Sequence, residues 1–250
     1  MKALVFAAGL GTRLRPITDT LPKALVPVCG QPLLYHVLNK LKKAGYEQAV
    51  VNVHHFPQLI KDYLAGNEFG MDIAVSDESA CLLETGGGVL NAKDLILPCA
   101  GPFLVHNVDI ISNLDLGWLR EQSRPDALAT LVVSERPTRR NLLFDSEMRL
   151  VGWTDKATGE VRSPYPDLKP ENCRSYAFAG IHNLSPRIFD AFGRYGFSGR
   201  FPIMDFYLKA CREEPIYGAL AEDLKLVDVG KFDALAEAER QAAEILASAE

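Results

Sequence analysis

The sequence predicts an α/β fold, a mostly parallel sheet flanked by helices, with an antiparallel lobe inserted at about 137–183. Three observations carry that expectation. An apolar run at 3–8 leads directly into a glycine-rich turn; short apolar runs then alternate with helical patterns as far as about 133; and beyond 137 the strand signals become short and hairpin-like.

The first run, Ala3 to Ala8, reads as a buried parallel strand, and it delivers the chain into Gly9-Leu10-Gly11-Thr12-Arg13-Leu14-Arg15-Pro16. Glycines at 9 and 11 permit backbone angles and approaches that a Cβ would block, so successive N–H groups can turn toward an anion. Arg13 and Arg15 add side-chain charge to that cradle. Pro22 and Pro27 then bracket Lys23 in what reads as an extended segment that holds the lysine in place.

From Pro32, the positions Leu33, Leu34, Val37, Leu38, Leu41 and Ala44 trace one helix face, with Gly45 just past its end. A strand at 49–53 completes a βαβ unit, followed by a short helix at 57–64 and a strand at 72–76. Gly86-Gly87-Gly88 would weaken the interior of either kind of element, so 77–88 is expected to be a loop opening a helix at 89–95. The apolar run 103–107 is another buried strand, and Asp109 falls at its carboxyl end, where open parallel sheets place ligands.

A helix at 115–122 and a strand at 127–133 follow. The runs 142–144 and 150–153 suggest a hairpin, and 155–175, with prolines at 164, 166 and 170, reads as a long loop. Strand 176–182, a helix opened by Ser185-Pro186, a helix at 204–212, a strand at 224–230 and a closing helix at 232–246 complete the chain. No repeat or linker divides it, and a single domain over 1–250 is expected.

Composition narrows the function classes. With 250 residues, 48% hydrophobic content and a net charge of −5, the chain can bury a full core but offers no general basic surface for nucleic acid. Five scattered cysteines form no CxxC pair, as in a reducing compartment. No signal-peptide pattern and no membrane-length apolar run occurs, so a cytoplasmic location without a membrane partner is expected.

The glycine loop does not fit the dinucleotide spacing GxGxxG, because position 14 is Leu, and no Walker pattern can be laid on it. His54 and His55 are adjacent in an extended stretch and point to opposite faces, which argues against a metal pair.

The ordered pattern from Ala7 to Pro16 followed by Pro22-Lys23-Ala24-Leu25-Val26-Pro27-Val28 resembles the signature of sugar-1-phosphate nucleotidylyltransferases. Glu84-Thr85-Gly86-Gly87-Gly88 looks like the family's base- and sugar-contacting glycine loop, and Asn107-Val108-Asp109 and Asp228-Val229-Gly230 look like its two metal aspartate motifs. Among subfamilies, the chain is most similar to compact bacterial N-acetylmuramic acid 1-phosphate uridylyltransferases and short mannose-1-phosphate guanylyltransferases. Where the family usually has Gly between Asn and Asp, this chain has Val108.

The resemblance implies a Rossmann-like sheet of the glycosyltransferase-A kind, with a sugar-binding lobe at about 137–183. It implies that Ala8, Gly9, Gly11, Thr12, Glu78 and Gly86 bind a nucleoside triphosphate, that Glu84, Thr85 and Asn107 bind the second substrate, a sugar 1-phosphate, and that Arg13 and Lys23 act on the reacting phosphates. Asp109 and Asp228 would hold Mg²⁺. A monomer or small homo-oligomer is expected.

The chemistry asks for these residue types on its own account. Two anions must meet and pyrophosphate must leave, so positive charge has to surround the transition state, and hard carboxylates suit Mg²⁺. Two other readings keep the fold, a phosphocholine cytidylyltransferase and a non-catalytic sensor of nucleotide sugars.

Overall fold

The computed structural model describes residues 1–247. The chain opens with β1 (Lys2–Phe6), whose alternate residues face opposite sides: Ala3 and Val5 enter one core and Leu4 the other. After the glycine loop come two short strands, β2 (Pro27–Val28) and β3 (Gln31–Pro32), and then α1 (Leu33–Lys43), β4 (Gln48–Val53), α2 (Pro57–Ala65) and β5 (Asp72–Asp77). Helix α1 buries Leu33, Leu34, Val37, Leu38 and Leu41, the face that the sequence pattern predicts.

The chain continues through α3 (Glu84–Asn91), α4 (Lys93–Ile96), β6 (Phe103–Asn107), β7 (Ile110–Ser112), α5 (Leu116–Gln122) and β8 (Ala129–Ser134). The antiparallel region comprises β9 (Arg140–Phe144), β10 (Leu150–Asp155), β11 (Glu160–Arg162) and β12 (Arg174–Leu184). It ends with α6 (Ile188–Arg194), α7 (Ile203–Ala210), β13 (Ile216–Leu220), β14 (Leu226–Asp228) and α8 (Leu235–Ala247).

One sheet runs β11-β10-β9-β12-β6-β1-β4-β5, with β8 and β13 joined through β12. Strands β6, β1, β4 and β5 are mutually parallel, and β12 pairs antiparallel with β6, β8 and β9. Helices α1, α2, α5 and α8 contribute to the apolar layer on one face, and α3, α4, α6 and α7 to the layer on the other. The β-sheet is thus parallel at its centre with antiparallel strands along one flank, the α/β class that the sequence predicts.

Several local expectations give way to packing. The three glycines lie inside α3 and not in a loop. A Cβ at Gly86 would come within 2.9 Å of the Phe201 carbonyl and overlap the Phe201 ring, and one at Gly87 would collide with the Gly199 backbone. The segment 199–201 therefore lies directly on the helix surface, and that close approach accounts for residues that are poor helix formers in isolation.

Lys23 stands in a 3-10 turn over Lys23–Leu25 and not in an extended stretch. The Leu25 amide donates to the Pro22 carbonyl at 2.8 Å, so the proline opens a turn. Within 155–175, residues Glu160–Arg162 form β11 against β10, and the strand expected at 224–230 shortens to β14, paired antiparallel with β7. Strand β13 was not legible as a separate signal; it docks parallel to β8 along the buried edge.

Candidate active-site cleft

Register places the chemistry at one end of the sheet. Phe6 in β1 is level with Asn52 in β4 and Asn107 in β6, and Val53 is level with Asp77 in β5. The segments leaving those strands, 7–9, 78–85 and 107–109, surround a cleft of about 440 Å³ beyond the carboxyl ends. Ala8, Gly9, Lys23, Glu78, Glu84, Thr85, Asn107 and Asp109 line it, together with Asn52, Leu82 and Pro202.

The glycine loop is built from within. Gly11 has a left-handed φ of +65°, and a Cβ there would meet the Thr18 methyl at 2.8 Å. The Thr18 hydroxyl donates to the Gly11 carbonyl at 2.8 Å, and Leu14 anchors the following 3-10 turn in the core. Gly9 differs: nothing lies within 4 Å of where its Cβ would project, beside the cleft. The Ala7 and Ala8 amides do not face an anion, because both donate to the Asn52 Oδ1, at 2.6 and 3.1 Å.

Two aspartates meet across β7 and β14. Asp228 stands opposite Ile110 in the antiparallel register, and the Val229 amide donates to the Asp109 carbonyl at 2.9 Å. Desolvation, and then the nearby Asp109 charge, raise the Asp228 carboxyl above its ordinary range, while Lys23, Arg13 and Arg136 pull it down. Lys23, 8% exposed, forms an ion pair with Asp109. Arg13 and Thr12 stand outside the cleft lining, and the Arg13 guanidinium lies beside Gly230, next to Asp228. Val108 is buried among Ile110, Ile111, Val227 and Val229, so the residue between Asn107 and Asp109 acts as a core anchor.

On the opposite wall, the loop before α7 is fastened to the start of α3. The Gly86 and Gly87 amides both donate to the Phe201 carbonyl, at 2.9 and 3.1 Å, and the Ile203 amide donates to the Thr85 hydroxyl at 2.9 Å. The Arg200 guanidinium binds the Glu84 carboxylate at 2.7 Å. Gly86 is buried against Phe201 and does not line the cleft. Thr85 and Glu84 reach the cleft wall while holding 200–203 in place.

Glu78 is 2% exposed. One carboxylate oxygen accepts from Asn52 Nδ2 at 2.8 Å and the other from the Leu83 amide at 3.2 Å. Burial raises its pKa, and those two hydrogen bonds offset part of the rise. Asn52, Arg200 and Phe201 are the residues that sequence reasoning missed. The available signal was a lone amide within the apolar run Ala49-Val50-Val51-Asn52-Val53, since a buried polar side chain demands partners. His54 and His55 do diverge: they bond the Glu78 carbonyl and the Thr18 carbonyl respectively.

The donor set suits a small hard cation. Two carboxylates converge beside a lysine, and among the described residues no group of three or more His, Cys, Asp or Glu could hold a metal. No helix among the described residues is long and apolar enough to cross a membrane.

Comparison with known proteins gives a consistent set. The family model described as nucleotidyl transferase matches residues 2–245. An N-acetylmuramate alpha-1-phosphate uridylyltransferase from Caulobacter vibrioides is 33% identical over 97% of this chain and 97% of its own. Its namesake from Neisseria meningitidis is 35% identical over 76% and 78% of the two chains. In fold, a putative glucose-1-phosphate thymidylyltransferase from Bacillus anthracis superposes with a TM-score of 0.79 at 21% identity, over 98% of this chain and 96% of that one.

Proposed function

Because the chain belongs to the nucleotidyl transferase family, we propose that the cleft between the glycine loop and the start of α3 joins UTP to N-acetylmuramate α-1-phosphate. At the level of reaction class, the chain is an enzyme that condenses a nucleoside triphosphate with a sugar 1-phosphate to give a nucleotide sugar and pyrophosphate. The finer choice of base and sugar is supported by the full-length similarity to the Caulobacter protein.

A phosphate oxygen of the sugar 1-phosphate attacks the α-phosphorus of UTP, the bond from that phosphorus to the bridging oxygen breaks, and the electron pair leaves with pyrophosphate. No protein nucleophile is needed. Gly9, Gly11 and Thr12 wrap the triphosphate, and Gly9 leaves open the space that a phosphate would approach. Lys23 and Arg13 neutralise charge that develops on the phosphates, and the carboxylates of Asp109 and Asp228 would hold Mg²⁺. When bound, the ion supplies Lewis-acid stabilisation to the phosphate oxygens. Glu84, Thr85 and Asn107 orient the sugar phosphate from the far wall, and the antiparallel region at 137–183 carries the sugar specificity.

The observation that carries the reading is the Lys23–Asp109 ion pair just beyond the carboxyl end of β6, with Asp228 at the end of β14 near enough for the charges to interact. A cytoplasmic location is consistent with five unpaired cysteines. The test is a matrix of four nucleoside triphosphates against sugar 1-phosphates, including N-acetylmuramate, glucose and mannose, read by pyrophosphate release with Mg²⁺. UTP with N-acetylmuramate α-1-phosphate is expected to give the fastest release. A faster reaction with GTP and mannose 1-phosphate overturns the substrate assignment, and silence across the matrix overturns the activity.

A further inference from the structure

We propose that Asn52 and Glu78 form a buried strut that sets the spacing between the two walls of the cleft, and that both are positioning residues that do not read the base. The inference rests on the triphosphate site proposed above. Asn52 Oδ1 accepts from the Ala7 and Ala8 amides, where β1 becomes the glycine loop, and its Nδ2 donates to Glu78 Oε1 at 2.8 Å. Glu78 Oε2 accepts from the Leu83 amide, the residue that opens α3. A single chain of hydrogen bonds therefore runs from the phosphate side of the cleft to the wall carrying Glu84 and Thr85.

Each member of the strut is hydrogen-bonded at both of its ends. The Asn52 side chain has one workable orientation, since turning it over would set its NH₂ against two N–H groups. Asn52 is 3% exposed and Glu78 2%. Gly88 makes room for the pair: a Cβ there would lie 2.9 Å from Glu78 Oε1 and 3.0 Å from Asn52 Nδ2. With two acceptor oxygens already engaged, one by the partner amide and one by backbone, the Glu78 carboxylate is occupied in holding Leu83. The Ala7 and Ala8 amides are likewise committed to Asn52, which leaves triphosphate contacts to the loop residues that follow them.

The polarity of the strut makes it testable by exchange. In Asn52→Asp, the new carboxylate still accepts from Ala7 and Ala8 but opposes the Glu78 carboxylate. In Glu78→Gln, the new amide must point a donor either at Asn52 Nδ2 or at the Leu83 N–H. The double variant N52D/E78Q restores a donor opposite an acceptor at every contact and leaves the net charge unchanged.

The experiment measures UTP, CTP and GTP dissociation constants by calorimetry with Mg²⁺ for the wild type, both single variants and the double variant. Each single variant is expected to weaken UTP binding about tenfold, and the double variant to return to within about threefold of wild type. A double variant as weak as the product of the two single losses overturns the strut. A Glu78→Gln variant that changes the order of preference among the three triphosphates also overturns it, because Glu78 would then read the base. Should a single variant fail to fold, the double variant decides by itself: the strut requires that it fold and bind UTP. Wild-type protein that binds no triphosphate overturns the functional reading and the strut's role together, a result distinct from losses seen only in the variants.

Discussion

The Val229 amide donates to the Asp109 carbonyl at 2.9 Å, and this bond fastens the turn after β6 to the turn after β14. Asp109 and Asp228 are 119 positions apart in sequence, yet the β7–β14 pairing makes them neighbours whose charges interact. Replacing either by Asn keeps the shape and removes a hard anionic donor. Asp109→Asn and Asp228→Asn are each expected to lower the rate of pyrophosphate release roughly 10²–10³-fold, with thermal unfolding close to wild type.

Chelation tests the same pair from the other side. Excess EDTA is expected to abolish pyrophosphate release and added Mg²⁺ to restore it; full activity in EDTA would refute a metal held by Asp109 and Asp228.

Lys23 occupies Asp109 through its ion pair, so the lysine and a cation compete for one carboxylate. Lys23→Ala should reduce kcat by about 100-fold or more, because a charge facing the reacting phosphates is lost. The same variant should bind Mn²⁺ more tightly than wild type when no nucleotide is present, read by electron spin resonance. Weaker Mn²⁺ binding in the variant would contradict the competition.

Gly9 and Gly86 make a contrasting pair. Gly86→Ala drives a methyl into Phe201 and should cost about 1–3 kcal/mol in chemical denaturation. At Gly9→Ala the methyl meets nothing within 4 Å, so stability should hold while KM for UTP rises several-fold as the methyl enters the space for phosphate. Equal losses of stability at both positions would count against the steric account.

Two buried histidines give the fold a pH dependence. Burial lowers the pKa of His106 to about 4 and that of His182 to about 3, with the neighbouring His106 adding to the effect on His182. Tyr207 OH meets His182 Nδ1 at 2.9 Å. In the unfolded chain both titrate near 6.5, so the unfolded state takes up protons first as pH falls. Stability is full above about 6.5 and is lost on acidification toward about 4, by on the order of 1 kcal/mol per pH unit for each histidine. Denaturation series at pH 7.5, 6.0 and 5.0 should show this slope, and His182→Gln should reduce it; an unchanged slope would exclude His182 as a contributor.

The sequence by itself determined the alternation of strands and helices, the glycine turn that follows β1, and Lys23, Asp109 and Asp228 as candidate site residues. Those features are local: an apolar run between polar neighbours must be buried, and two glycines after a strand permit a tight turn. It also carried the family likeness, because an ordered motif is written in consecutive residues.

Only the tertiary structure decided what long-range contact governs. Inside α3, Gly86 and Gly87 leave room for Phe201 and Gly199, and Gly88 leaves room for Glu78 and Asn52; no propensity of residues 86–87 announces a neighbour more than 110 positions away. Asn52 and Glu78 read as an amide in a strand and an acid in a turn; the parallel pairing of β4 with β5 and the burial of both side chains make them partners, since a desolvated carboxylate must find donors. Register is the common physical reason. Side-chain chemistry was fixed residue by residue, but which groups face one another depended on how the strands aligned.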